Sequence, residues 1–100
     1  MINVGIIGGA GYTAGELLRI LLNHQYVAVK MVHSTSNAGN KISDVHTDLL
    51  GDTNLVFDSS MNFDELDVIF LCMGHGKSVE FMQTHTLPSN LKVIDLSHDF

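Results

Sequence analysis

Apolar residues in this chain fall into short continuous runs and longer periodic ones, and the two kinds alternate. Ile2-Asn3-Val4-Gly5-Ile6-Ile7 is a short apolar run with the length of a buried parallel strand. Ala14, Leu17, Leu18 and Leu21 then fall at i, i+3, i+4 and i+7, the spacing that gathers side chains onto one stripe of a helix. Asn23-His24-Gln25 breaks that stripe, and Tyr26 to Val32 follows as a second strand rich in β-branched residues. Strand, helix and strand in this order make a βαβ unit, whose right-handed crossover sets the two strands parallel and adjacent.

A polar stretch from Ser34 to Asp52 comes next, with room for a short helical turn between Val45 and Leu50. Leu55-Val56-Phe57 reads as a short strand, and Asn62 to Leu66 as a capped turn of helix. Asp67 to Met73 is the clearest strand of the chain. Being apolar on both faces, it predicts a central parallel strand covered by helices on each side. Gly74-His75-Gly76 ends it, Lys77 to His85 carries Val79 and Met82 at helical spacing, Pro88 stops that helix, and Lys92 to Leu96 is a last strand. The fold class is therefore α/β, a partial Rossmann-like doubly wound parallel sheet in the order β-α-β-insertion-β-α-β.

The junction between the first strand and the first helix changes the picture from architecture to chemistry. Gly8-Gly9-Ala10-Gly11-Tyr12-Thr13-Ala14-Gly15 leads straight into the helical stripe, and Gly9, Gly11 and Ala14 satisfy G-x-G-x-x-A. A glycine-rich turn lets backbone approach a pyrophosphate, and the following helix offers its free N–H groups at the positive end of its dipole. In this frame Gly9 makes the tight turn, Gly11 leaves room where a Cβ would meet phosphate, and Ala14 lets helix and strand pack closely. Gly8 supplies a second frame, G-x-x-G, with Gly11. Turns collect glycine for other reasons, so a plain strand-turn-helix is the competing reading.

In NAD-binding folds an Asp or Glu about 20 residues beyond the glycines takes the adenine ribose hydroxyls. Between Tyr26 and Lys41 this chain has no carboxylate; the second strand runs instead into His33-Ser34-Thr35-Ser36-Asn37, with Lys41 nearby. A carboxylate repels a 2′-phosphate, whereas hydroxyls and a cation bind one. NADP is the expected cofactor.

Charge and cysteine usage narrow the partners. With 5 Lys and Arg against 11 Asp and Glu the net charge is −6, and the cations are too scattered to form a nucleic-acid-binding stripe. The single Cys72 allows no internal disulfide, and no His or Cys spacing suggests a metal. No run approaches the roughly 20 apolar residues of a membrane span and no leader is visible, so a cytoplasmic protein with no membrane or nucleic-acid partner is expected. Cys72, inside an apolar strand, reads as an un-ionised and inert thiol rather than a nucleophile. His24, His33, His46 and His85 read as surface or loop residues, His75 as a loop residue beside the cofactor, and Met61, Met73 and Met82 as packing. Ser97 and Asp99, at the end of the last strand, either face a ligand or cap a turn.

Taken together, GIIGGAGYTAGELLRILLNH, HSTSNAG, HTDLLG, DVIFLCMGHGKS and VIDLSHDF resemble the N-terminal part of the N-acetyl-γ-glutamyl-phosphate reductases over nearly the whole chain. Aspartate-semialdehyde dehydrogenases have a similar half-domain. The resemblance implies NADPH-dependent reduction of an acyl phosphate to a semialdehyde in arginine biosynthesis, by a thiolate that attacks the substrate and a hydride that resolves the thioester. It also implies a homo-oligomer, dimer or tetramer, for a full-length enzyme. It places Gly8, Gly11, Tyr12, Thr13 and Ala14 at the pyrophosphate, Ser34, Thr35 and Ser36 at the adenine ribose, and Gly74, His75 and Gly76 near the nicotinamide. The family's Ser-Asn-Pro-Gly-Cys nucleophile motif has no match here. Residues 1–100 are thus expected to be an N-terminal NAD(P)-binding domain without its catalytic and substrate domain, holding no catalytic residue of its own. A non-catalytic nucleotide-sensing module is the alternative from another class.

Overall fold

A computed structural model describes residues 1–74 and 76–96. Four parallel strands, β1 (Ile2–Ile7), β2 (Val27–His33), β3 (Val68–Leu71) and β4 (Lys92–Asp95), form one sheet in the order β2-β1-β3-β4. Helix α1 (Tyr12–Leu22) links β1 to β2 and helix α3 (Lys77–Thr84) links β3 to β4, while a four-residue helix α2 (Ile42–Val45) and a 3₁₀ turn (Thr47–Leu49) lie between β2 and β3. The chain moves outward from β1 to β2, then crosses back to start β3 on the other side of β1. At such a reversal the loops leaving neighbouring strand ends diverge and leave a crevice at the carboxyl edge of the sheet.

The strand alternation explains why the two long helices lie on opposite faces. Val4 and Ile6 of β1 and Val32 of β2 pack with Ala14, Leu18 and Leu21 of α1, together with Ile42, Leu49 and Phe57 of the connecting segment. Ile7, the residue after Ile6, faces the other way in the pleat and packs with Ile69, Leu71 and the α3 residue Phe81. Ile6 and Leu18 are fully buried, and side chains of this size each contribute about 1.5–3 kcal/mol on leaving water. Gly5 is a strand glycine because Leu66 lies over it: a Cβ there would sit 2.7 Å from Leu66 Cδ1. Between Val4 and Gly5 the pairing with β2 skips Lys30, which stays exposed.

Several local expectations are corrected. Leu55 to Phe57 forms no sheet strand; Lys41 and Val56 make an isolated antiparallel bridge, and His33 and Asp58 an isolated parallel one. Asn62 to Leu66 forms no helical turn; the Asn62 side chain accepts the Asp64 N–H at 3.1 Å and the Leu66 N–H donates to the Phe63 carbonyl at 3.1 Å. In α3 the buried residues are Ser78 and Phe81, while Val79 and Met82 are exposed, so the inward face is rotated by one position and Met82 is not packing. Only one face of β3 is fully buried, at Ile69 and Leu71; Val68 and Phe70 are half-buried, and Ile94 beside Phe70 is 43% exposed. Among the described residues no helix is long and apolar enough to cross a membrane.

Candidate dinucleotide site

The turn after β1 is tied down on both sides. The N–H groups of Gly8 and Gly9 both donate to the His33 carbonyl at the end of β2, at 3.1 and 2.8 Å, and Cys72 N–H donates to the Ile7 carbonyl at 2.9 Å. Gly8 has φ +82°, and a Cβ there would also meet the Cys72 and Met73 backbone at 3.0 Å. The tight turn is therefore made at Gly8. Gly9, to which the motif frame gave that role, serves packing instead: a Cβ would lie 2.3 Å from Val32 Cγ1.

Gly11 has the opposite surroundings. It is the N-cap of α1 with extended backbone, and the nearest atoms to a Cβ there would be 3.9 Å away. Those atoms are the Gly8 and Cys72 carbonyl oxygens, at ordinary van der Waals distance, so nothing crowds this position. Among the described residues no side chain caps α1 and no acidic residue stands in its first turn, so the helix keeps its N-terminal N–H groups and positive dipole end for an anion. Ala14 is fully buried against the sheet, and Tyr12 and Thr13 are exposed on the first turn.

An open cleft of about 620 Å³ runs along the carboxyl edge of the sheet and brings Gly8, Gly11, Ser34, Thr35, Ser36 and Gly74 to one surface. Its size is within the ~300–1,000 Å³ of small-molecule sites. Ser34 is buried and shapes its wall: its Oγ accepts the Asn37 N–H at 3.2 Å and its own N–H donates to the Asp58 carbonyl at 3.2 Å. Thr35 and Ser36 are exposed at the rim. Lys41 does not line this cleft. Its N–H bonds the Asp44 carboxylate at the start of α2, and the cationic side chain on the cleft wall is Lys77, from α3. Gly76 has φ +81° as the N-cap of α3 and does not reach the wall; His75, Ser97 and Asp99 lie outside the described residues.

One carboxylate comes closer to β2 than the sequence suggests. Asp58 is delivered alongside its end, but its Oδ2 accepts the Val32 N–H at 3.3 Å and it lines a separate, smaller pocket with Lys30 and Glu65. Glu80 lies on the cleft wall across from the serines, on α3. Cys72 stands just beyond the end of β3, half-buried on the cleft wall, where burial, with Asp95 adding to it, pushes its thiol up to about 11. It is un-ionised at neutral pH, though not inside the strand. Among the described residues no group of three or more His, Cys, Asp or Glu side chains is placed to hold a metal.

His46 is the residue that sequence reasoning put on the surface and the fold buries. It follows α2, donates its N–H to the Ile42 carbonyl at 2.9 Å, and places its ring beneath the glycine turn with Nε2 2.7 Å from the Gly9 carbonyl oxygen. A Cβ on Gly15 would come within 2.6 Å of its Nδ1. The detectable signal was Gly15, a glycine inside a helix with no turn to make.

Comparison with known proteins decides the family. The model of the semialdehyde dehydrogenase NAD-binding domain matches residues 3–100. The chain belongs to this semialdehyde dehydrogenase domain family. All 100 residues of this domain also align with N-acetyl-gamma-glutamyl-phosphate reductases, at 57% identity to that of Phocaeicola vulgatus and 52% to that of Flavobacterium johnsoniae. The domain spans 31% and 30% of those two relatives, about a third of their length. An aspartate semialdehyde dehydrogenase from Candida albicans, solved with NADP, superposes with a TM-score of 0.75 at 18% identity, covering 99% of this chain and 30% of that one. That likeness shows the shared fold.

Proposed function

We propose that this semialdehyde dehydrogenase domain binds NADP(H) and presents it to an acyl-phosphate substrate as the N-terminal cofactor-binding part of an N-acetyl-γ-glutamyl-phosphate reductase. The observation that carries the reading is the uncrowded Gly11, at the uncapped N-terminus of α1 and on the same cleft as Ser34 to Ser36. The pyrophosphate would take the N–H groups of that first turn, which the absence of a side chain at Gly11 lets it approach. The hydroxyls of Thr35 and Ser36, with the buried Ser34 behind them, suit a 2′-phosphate, since no carboxylate stands between Tyr26 and Lys41 and Asp58 is turned to Val32. Gly74, His75 and Gly76 would pass the nicotinamide end, and Ser97 and Asp99 the substrate.

When bound, the cofactor supplies the hydride for the reduction. The domain's own cysteine does not suit the nucleophile's part, because Cys72 is held protonated where a thiolate is needed. The attacking thiolate would come from another domain of a longer, homo-oligomeric cytoplasmic enzyme, and the 100 residues alone would not turn over substrate. The relatives at 52–57% identity favour the N-acetyl-glutamyl substrate class over aspartyl phosphate, which is tied to this chain only through an 18% identical neighbour. Calorimetric titration with NADP and NAD tests the reading. NADP should bind at least about tenfold tighter. Equal or tighter NAD binding overturns the role of the serine loop, and no binding of either overturns the nucleotide site.

A further inference from the structure

From the geometry of His46 we infer that it is a positioning residue of the dinucleotide turn, aiming the Ala10 N–H into the cleft by fixing the carbonyl of Gly9. The inference rests on the NADP-binding reading above. Gly9 oxygen has no proton to give, so in the 2.7 Å bond to His46 the imidazole Nε2 is the donor. In a trans peptide the C=O of one residue and the N–H of the next point in opposite directions across the same plane. Holding the Gly9 carbonyl down toward the buried ring therefore turns the Ala10 N–H up, and Ala10 lines the cleft beside Gly11. The amides of Gly8 and Gly9 are already committed to the His33 carbonyl, which leaves Ala10 as the first turn amide open to a phosphate oxygen.

The ring itself has little freedom. It lies over Gly15, where a methyl group would collide with it, and edge-on to Phe57 at 6.2 Å between ring centres. Gly15 N–H also donates to the Gly11 carbonyl at 3.1 Å, so the histidine touches both the strand side and the helix side of the motif. A polar side chain that only filled the core would need no donor at this place. The insertion between β2 and β3 thus reaches back to set the anion-binding peptide of a motif 37 residues earlier in the chain.

His46→Gln and His46→Met separate donor from shape, since both are unbranched and only glutamine carries an N–H near the Nε2 position. NADP titration should show His46→Met about tenfold weaker than the parent and His46→Gln within about threefold. The unfolding temperatures of the two variants, measured alongside, should be alike. Equal affinities of His46→Met and the parent, or equal losses in both variants at equal stability, overturn the positioning role. Amide NMR on the parent keeps the test open where a variant fails to fold: NADP should move the Ala10 amide proton among the largest shifts, and an unmoved Ala10 amide in a saturated sample overturns it. A parent that binds neither NADP nor NAD overturns the nucleotide reading itself, whereas normal parent binding with an indifferent His46 overturns only this inference.

Discussion

The chain contains two strand–glycine–helix junctions, and they are alike in sequence and unlike in structure. After β1 come Gly8, Gly9 and Gly11; after β3 come Gly74 and Gly76. At the first junction added Cβ atoms would meet the backbone just past β3 at Gly8 and Val32 at Gly9, and the helix that follows buries Ala14, Gly15, Leu18 and Leu21. At the second, a Cβ on Gly74 or Gly76 would meet nothing within 4 Å, and the helix buries only Ser78 and Phe81. Glycine is thus demanded by packing in one place and, at Gly76, by backbone conformation alone. The first junction is a rigid seat assembled from β2, β3 and the insertion. The second forms the facing wall of the same cleft with far fewer constraints.

The sharpest way to break this contrast is the same substitution at both junctions. Gly9→Val drives a branched side chain into the buried Val32, and overpacking of this kind should cost about 3 kcal/mol, lowering the unfolding temperature by roughly 15 °C in a domain of this size. Gly74→Val has open space and should stay within about 0.5 kcal/mol of the parent. Thermal unfolding followed by circular dichroism reads both. Equal losses would mean that the two turns are packed alike and that the contrast is false.

Gly11→Val asks what the seat is for. With the nearest atoms 3.9 Å from its Cβ, the substitution should cost no more than about 1 kcal/mol, the penalty of a β-branched N-cap. NADP affinity should nevertheless fall by well over tenfold, because on the proposed reading the side chain would fill the place of the phosphate. Unchanged affinity would show the glycine pattern to be a turn and nothing more. Gly76→Ala is the milder counterpart. At φ +81° with open surroundings it should cost about 1 kcal/mol through backbone strain alone, read as a lower urea midpoint with an unchanged slope.

How far the sequence discloses these differences follows from the range over which each cause acts. The order of strands and long helices is legible because period-2 and period-3.6 patterns are local, and the α1 stripe of Ala14, Leu18 and Leu21 is buried as the spacing requires. The glycine motif and the serines stand out in the sequence by residue type and offset, and the fold brings Gly8, Gly11 and Ser34 to Ser36 to one cleft. The insertion is not legible. His46 looks like any loop histidine until the fold carries it beneath Gly9, and Asp58 looks remote from β2 until its chain segment runs alongside Val32. The division of labour between Gly8 and Gly9 is hidden for the same reason, since the sign of φ and the proximity of Val32 are set by neighbours far along the chain. In α3 the pattern misleads. Ser78 is buried with its Oγ donating to Asp95 Oδ1 at 3.1 Å, so a polar residue takes the inward position that hydrophobicity would give to Val79.

Cys72 belongs to the looser wall and offers the smallest but chemically cleanest test of how closed that wall is. Burial, helped by Asp95, raises its thiol from an ordinary 9.0 to about 11, so the folded chain holds this proton more tightly than the unfolded one. Its contribution to stability is therefore complete below pH 9, declines as the unfolded thiol ionises, and is gone once pH rises through 11. The sign follows from proton counting: between these values the unfolded state binds fewer protons, and stability falls as pH rises. Labelling of the native chain by a thiol reagent should accordingly be slow at pH 8 and quicken about tenfold per pH unit up to pH 10, with no plateau near 9. The urea midpoint of the parent should also drop more between pH 8 and pH 10 than that of Cys72→Ala. A labelling plateau at an ordinary thiol pKa would mean that water reaches this side of the cleft freely, leaving the glycine seat after β1 as its only closed wall.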